Sequence, residues 1–127
     1  MEDISKLIFL CIAGALGTVA RYFLTGAVSQ TLGSRFPYGT LVVNLTGCFL
    51  IGFIAAIAEK KFLMLPNMRL FLFIGFLGAF TTFSTFIFET DNLLKGGQTL
   101  TAIGNILLSV AIGLIIFKLG VVLGKII

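Results

Sequence analysis

Three stretches of this chain, residues 38–58, 70–88 and 99–117, each run about twenty residues without an Asp, Glu, Lys or Arg. A helix needs that many apolar residues to cross the ~30 Å hydrocarbon core of a bilayer. A fourth apolar stretch, 4–32, is longer and holds Lys6 and Arg21, so its tail is expected to tilt or to emerge from the membrane. Backbone polar groups in hydrocarbon must be satisfied within the chain, which favours helices. The expected fold is an all-α membrane protein of four transmembrane helices, with residues 1–127 forming one domain.

Composition narrows the function classes. The chain is 58% hydrophobic and 11% charged, with a mean hydropathy of +1.15, whereas an ordinary soluble domain is about 25% charged. The N-terminus, MEDIS, is acidic and lacks the basic region of a signal peptide, so the first stretch is expected to be a permanent span. Cys11 and Cys48 lie in apolar stretches and read as small buried hydrophobes rather than as a disulfide. With no His and no Cys cluster, metal-dependent hydrolysis and redox chemistry have no ligands to build on. The net charge of +4 suits loops beside anionic lipid and calls for no nucleic-acid partner.

Connections are expected at 33–37, at 59–67 with Pro66 opening the third helix, and at 92–98 with Gly96 and Gly97. All are as short as helical-bundle connections usually are. Four spans place both termini on one side. That side collects Lys6, Lys60, Lys61, Arg69, Lys118 and Lys125, and the other collects Arg21, Arg35 and Lys95. The positive-inside rule favours cytoplasmic termini, but Glu2, Asp3 and Glu59 oppose the bias and Lys118 sits near a span end. Such a weak bias permits insertion in both orientations. Small residues four apart, Ala13 with Gly17 and Gly120 with Gly124, let helices approach closely, either within the chain or between copies. Four helices do not easily enclose a private aqueous path, and oligomerisation is the natural way to build one.

Residues 75–86 read GFLGAFTTFSTF. Polar groups at membrane depth are costly unless they face protein or a water-filled path, so the hydroxyl run Thr81, Thr82, Ser84 and Thr85 points to something polar within the membrane. The run also permits a helix break, because Ser and Thr can satisfy backbone groups freed by unwinding. Gly75 and Gly78 would ease the bend, although a plain kinked helix ranks ahead of a break on sequence alone. Phe83 and Phe86 share a face if that turn is helical. They read either as space-filling aromatics or as rings whose electropositive edges suit an anion. Thr40 and Asn44 share a face of the second span and offer hydroxyl and amide donors, for interhelical packing or for a ligand. Asn105, Ser109 and Gly113 repeat that four-residue spacing on the last span. Arg21 and Glu89 are the charges nearest to membrane depth. They either snorkel to the interface or form a vestibule in which Arg21 attracts an anion and Glu89 tunes access.

These pieces together resemble the Fluc (CrcB) family of small bacterial fluoride channels. The resemblance covers all four spans. It rests on GALGTVARY at 14–22, GTLVVNLTGCFLIG at 39–52, GFLGAFTTFSTF at 75–86, and the spaced Asn105, Ser109 and Gly113. It implies an antiparallel, dual-topology homodimer with two pores in the bacterial plasma (inner) membrane, and a third helix broken in the middle. It also implies a structural sodium ion (Na+) at the dimer centre, held by backbone carbonyls of Gly78 and Thr81. By position, Asn44, Phe83, Phe86 and Ser109 are the implied pore lining, Thr40 the pore-proximal hydroxyl, and Arg21 and Glu89 the vestibule charges. This chain departs at Asn105, where many members carry an aromatic, often Tyr, leaving the role of Asn105 open, and at Ala79, where some carry Gly.

The reading is therefore a fluoride-selective channel, not an enzyme, with fluoride, the lipid bilayer and a second copy of itself as partners. The alternative is a small multidrug-type proton-coupled antiporter, which needs a carboxylate deep in a membrane helix. The first, second and fourth spans have none, and Glu89 closes the third uncharged run. A membrane scaffold without transport would leave the TTFSTF run and both polar stripes without a purpose.

Overall fold

A computed structural model describes residues 2–61 and 64–127 and is helical throughout, apart from short connections. Residues 62 and 63, in the middle of the expected 59–67 connection, lie outside the described residues. Helix α1 spans Glu2–Leu32 and α2 spans Tyr38–Lys61. The third span is two helices, α3 over 66–80 and α4 over Phe83–Lys95. The last span is α5, Thr99–Ile126. Four segments of the described chain are long and apolar enough to cross a membrane, as the sequence predicts.

The boundaries follow from local chemistry. Gly33 stops α1 with a φ of +86°, a conformation that costs glycine little, and its N–H bonds the Ser29 carbonyl at 2.9 Å. Pro66 opens α3 at the first helical position, where its missing N–H has no helical role. Gly96 and Gly97 close α4, with the Gly97 and Gln98 amides folding back onto Leu94 and Leu93. Helix α3 widens over Leu70–Leu77 into turns in which an N–H reaches five residues back, as Gly78 does to Phe73. Helix α5 widens likewise over Leu108–Ile112.

Packing is close because the contact residues are small. Glycines Gly120 and Gly124 of α5 sit against the backbone of Phe49 and Phe53 on α2, and Gly52 of α2 sits against the Phe117 carbonyl. On the other side of the bundle Gly17 of α1 abuts the Phe76 carbonyl of α3, and Gly75 of α3 abuts Ala13. With no solvent-driven attraction between apolar helices in lipid, such backbone approach supplies dispersion contact. The small-residue pairs of the sequence thus serve packing within the chain. The Lys60 ammonium donates to the Lys125 carbonyl at 2.6 Å, joining the ends of α2 and α5 on the side of the termini. The outer surface is a belt of exposed Ile, Leu, Val and Phe, which a bilayer covers. Cys11 and Cys48 are free thiols, Cys11 exposed and Cys48 half-buried. They are therefore less enclosed than their apolar neighbours suggested, because those neighbours on α1 face outward.

Candidate functional site

The polar residues converge where the third span breaks. Thr81 and Thr82 are extended, with ψ of 155° and 114°, so α3 ends and α4 starts afresh rather than kinking. The Thr82 N–H, which would close a helical turn on the Gly78 carbonyl, donates instead to Asn44 Oδ1 at 2.8 Å. Asn44 Nδ2 returns a bond to the Thr82 carbonyl at 3.0 Å. One side-chain amide of α2 therefore pairs with one peptide of the break on both edges. The Thr82 hydroxyl caps α4, accepting from the Thr85 N–H at 3.3 Å and donating to the Thr85 hydroxyl at 2.9 Å. That N–H would otherwise have closed on the Thr81 carbonyl. The Gly78 and Thr81 carbonyls thus both lose their helical amides. Neither Gly75 nor Gly78 provides the bend, since Gly78 is helical at φ −62° and Gly75 serves the contact with Ala13.

Thr40 and Asn44 share a face of α2 and both reach across to the C-terminal half of the third span. Thr40 is buried, and its hydroxyl donates to Glu89 Oε1 at 2.9 Å. The second carboxylate oxygen, Oε2, is buried with no hydrogen-bond partner among the described residues. Arg21 and Glu89 line one groove of about 780 Å³ together with Thr25, Thr40, Thr82 and Thr85. No ion pair joins them among the described residues. Glu89 and Thr40 also line an adjoining pocket of about 420 Å³ that opens at Ser34, Arg35 and Gln98. The two cavities share Thr25, Thr40 and Glu89 in their lining.

The two phenylalanines part company. Phe86 is buried, whereas Phe83 is 75% exposed, although their rings lie 5.8 Å apart at 48°. Phe83 turns outward into a groove of about 310 Å³ shared with Asn44, Cys48, Gly78 and Thr81. Ser109 is half-buried and lines none of these grooves. The wide turn of α5 passes through it and interrupts the stripe, leaving Asn105 and Gly113 buried on either side. Asn105, whose role the sequence left open, is 1% exposed and donates from Nδ2 to the Thr90 hydroxyl at 2.9 Å. Thr90 donates in turn to the Phe86 carbonyl at 2.7 Å. Sequence reasoning missed Thr90. Its signal was a hydroxyl placed four residues after a singled-out Phe, one turn along the same face.

Comparison with known proteins fits this architecture. The model of the family described as CrcB-like protein, Camphor Resistance (CrcB), matches residues 8–121. The chain belongs to the CrcB family. A relative from Desulforapulum autotrophicum is 47% identical over 122 residues, covering 96% of this chain and 98% of its own length. One from Citrifermentans bemidjiense is 47% identical over 120 residues, covering 94% and 97%. One from Geobacter sulfurreducens is 49% identical over 111 residues, covering 87% and 90%. Each of the three carries the name fluoride-specific ion channel FluC. The CrcB family is thus one of multi-pass membrane channels rather than enzymes.

Proposed function

We propose that this chain is a fluoride channel that works as an antiparallel homodimer and releases fluoride passively down its electrochemical gradient across the bacterial plasma membrane. The observation that carries the reading is the polar break at Thr81 and Thr82, clipped by Asn44. It sits in a span otherwise rich in Leu, Ile and Phe, in a family whose similar members are named for fluoride.

Fluoride is small and strongly hydrated, so a pore must replace its water with donors yet bind weakly enough to release. Asn44 has two amide hydrogens. One is taken by the Thr82 carbonyl, and the other is available towards the groove that holds Phe83. Ring edges of Phe83 and Phe86 add weak positive potential without a full charge that would trap the ion. Ser109 supplies a hydroxyl, the Thr40 hydroxyl serves the ion by turning its one hydrogen away from Glu89, and Arg21 raises the local concentration of anions at the groove it shares with Glu89. The exposed ring of Phe83 and the open groove beside Asn44 are the surface on which a second, antiparallel copy completes each of two pores.

Sodium fits the same break. The Gly78 and Thr81 carbonyls have lost their helical amides, and unwound carbonyls are natural ligands for a hard monovalent cation. One chain offers two such oxygens, and a two-fold pairing doubles the set. When bound, the ion supplies positive charge that holds the two breaks together, and the pore donors remain those of the chain.

The deciding measurement is fluoride efflux from vesicles containing the purified protein, read with a fluoride electrode beside a chloride control and with no pH gradient. Fast fluoride efflux with chloride retained is expected. No fluoride efflux, with uptake of an organic cation once an outward proton gradient is imposed, overturns the channel in favour of the antiporter.

A further inference from the structure

Helix α4 is the one segment of the third span whose orientation is not set by backbone continuity, because the extended residues Thr81 and Thr82 uncouple it from α3. Asn44 grips it at Thr82. A second tether, from the Thr40 hydroxyl to Glu89 Oε1 at 2.9 Å, ends on a long side chain and leaves the helix backbone some freedom to turn. Only two residues of α4, Phe86 and Thr90, are buried in the chain, and they lie one turn apart on the same face. That face meets the first turns of α5 through a single chain of polar contacts, from Asn105 Nδ2 to the Thr90 hydroxyl at 2.9 Å and from that hydroxyl to the Phe86 carbonyl at 2.7 Å. All three residues are at most 7% exposed.

From this we infer that Asn105 and Thr90 form a positioning latch that fixes the rotation of α4, and with it the aim of the Phe86 ring, for fluoride passage. The inference rests on the reading of Phe86 as a pore residue. Thr90 is suited to the role because one hydroxyl can accept from Asn105 and donate to the helix carbonyl at the same time. A hydrogen bond buried in a low-dielectric setting is directional, whereas the apolar contacts around it permit sliding. Breaking the latch lets α4 turn within the play left by the Asn44 grip and the Glu89 side chain while α4 and α5 stay folded. The residues that act on the ion are untouched, so Asn105 and Thr90 act through Phe86 rather than on fluoride.

The test compares Thr90→Val, Asn105→Leu, their double variant, Thr90→Ser and Phe86→Ile. Each is assayed for fluoride efflux per assembled protein and for elution as an intact assembly. Thr90→Val and Asn105→Leu remove the same contact from opposite sides with little change of shape, so if one does not assemble the other decides. Each is expected to slow efflux about tenfold, and the double variant no further, because residues that share one contact are not additive. Thr90→Ser keeps the hydroxyl and is expected to retain most of the flux. A role confined to packing would lower thermal stability but leave the flux of assembled protein unchanged. Wild-type efflux in assembled Thr90→Val or Asn105→Leu overturns the latch, as does equal loss in Thr90→Ser. If Phe86→Ile itself conducts normally, the pore reading fails. Lost flux in Phe86→Ile with normal flux in the latch variants overturns the latch alone.

Discussion

At the scale of single residues, the polar side chains near the break divide their hydrogen bonds between backbone carbonyls and one another. Phe83 and Phe86 can be separated from bulk packing by replacement with Ile, which keeps much of the apolar volume but removes the electropositive edge. Either variant is expected to cost under about 1.5 kcal/mol of stability, and less at Phe83 because it is exposed in the chain. Fluoride efflux from vesicles is expected to collapse in both, and normal efflux with intact assembly would remove the rings from the pore. Asn44→Asp is a sharper probe. The carboxylate can still accept from the Thr82 N–H, but it has no hydrogen for the Thr82 carbonyl and faces it with like polarity. Losing that hydrogen bond costs about 0.5–1.5 kcal/mol, and the negative charge repels both the carbonyl and the anion, so flux should be lost along with some thermal stability. Full flux in this variant would exclude Asn44 from the ion path. Asn44 was legible in the sequence as an amide in the run LVVNLTG. Its partner was not, because the Thr82 amide becomes a free donor only once the helix breaks. Thr90 left only its spacing from Phe86 as a signal, because its contact with Asn105 forms across the α4–α5 turn.

At the scale of elements, the spans could be read from charge-free length alone, since the bilayer fixes how long a helix must be. The break was harder. A hydroxyl run is compatible with a kink, a break or an intact helix, and the choice depends on whether another helix supplies a group to hold the freed peptide. Here α2 does so through Asn44. Glycine was a poor guide to the bend, because Gly75 answers to the approach of α1 instead. That distinction is testable. A methyl group at Gly17 would run into the Phe76 carbonyl, and one at Gly120 into the Phe49 carbonyl, whereas Gly14 has nothing within 4 Å. Gly17→Ala and Gly120→Ala are expected to lose about 1–3 kcal/mol to overpacking, seen as a lower thermal midpoint in detergent, while Gly14→Ala is unaffected. Equal behaviour of all three would show that the helix contacts lie elsewhere. The break also predicts a dependence on sodium that resides in the backbone. Exchanging sodium for N-methylglucamine should lower the thermal midpoint, since a ligand bound only to the folded form stabilises it in proportion to the logarithm of its concentration. Thr81→Ser should keep that response because the carbonyl is retained. A midpoint indifferent to sodium in the unmodified protein would remove the ion from the break.

At the scale of the whole molecule, the polar break opens onto an outer surface of the chain instead of being sealed within the bundle. The groove beside Asn44 is open, and the ring of Phe83 is 75% exposed on the same surface. Lipid cannot satisfy an open polar break, whereas a second copy related by a two-fold axis in the membrane plane would bring its own break to the same depth. That arrangement requires copies inserted in both orientations, and the sequence permits it through its weak division of basic residues, six on the side of the termini and three on the other. Orientation can be read with a cysteine placed at the α4–α5 connection in a variant lacking Cys11 and Cys48. Gln98 is the better position than its neighbour Lys95, because Lys95 is one of only three basic residues on its side and pairs with Asp91 at 2.5 Å. Removing Lys95 would itself tilt the positive-inside bias. Gln98 is exposed and uncharged, so Gln98→Cys leaves that bias as it is. A membrane-impermeant thiol reagent applied to whole cells should then label about half of the protein, and permeabilisation should expose the rest, as expected of a bias too weak to choose a side. Labelling from one side alone would rule out dual insertion, and with it the antiparallel pairing proposed across the break.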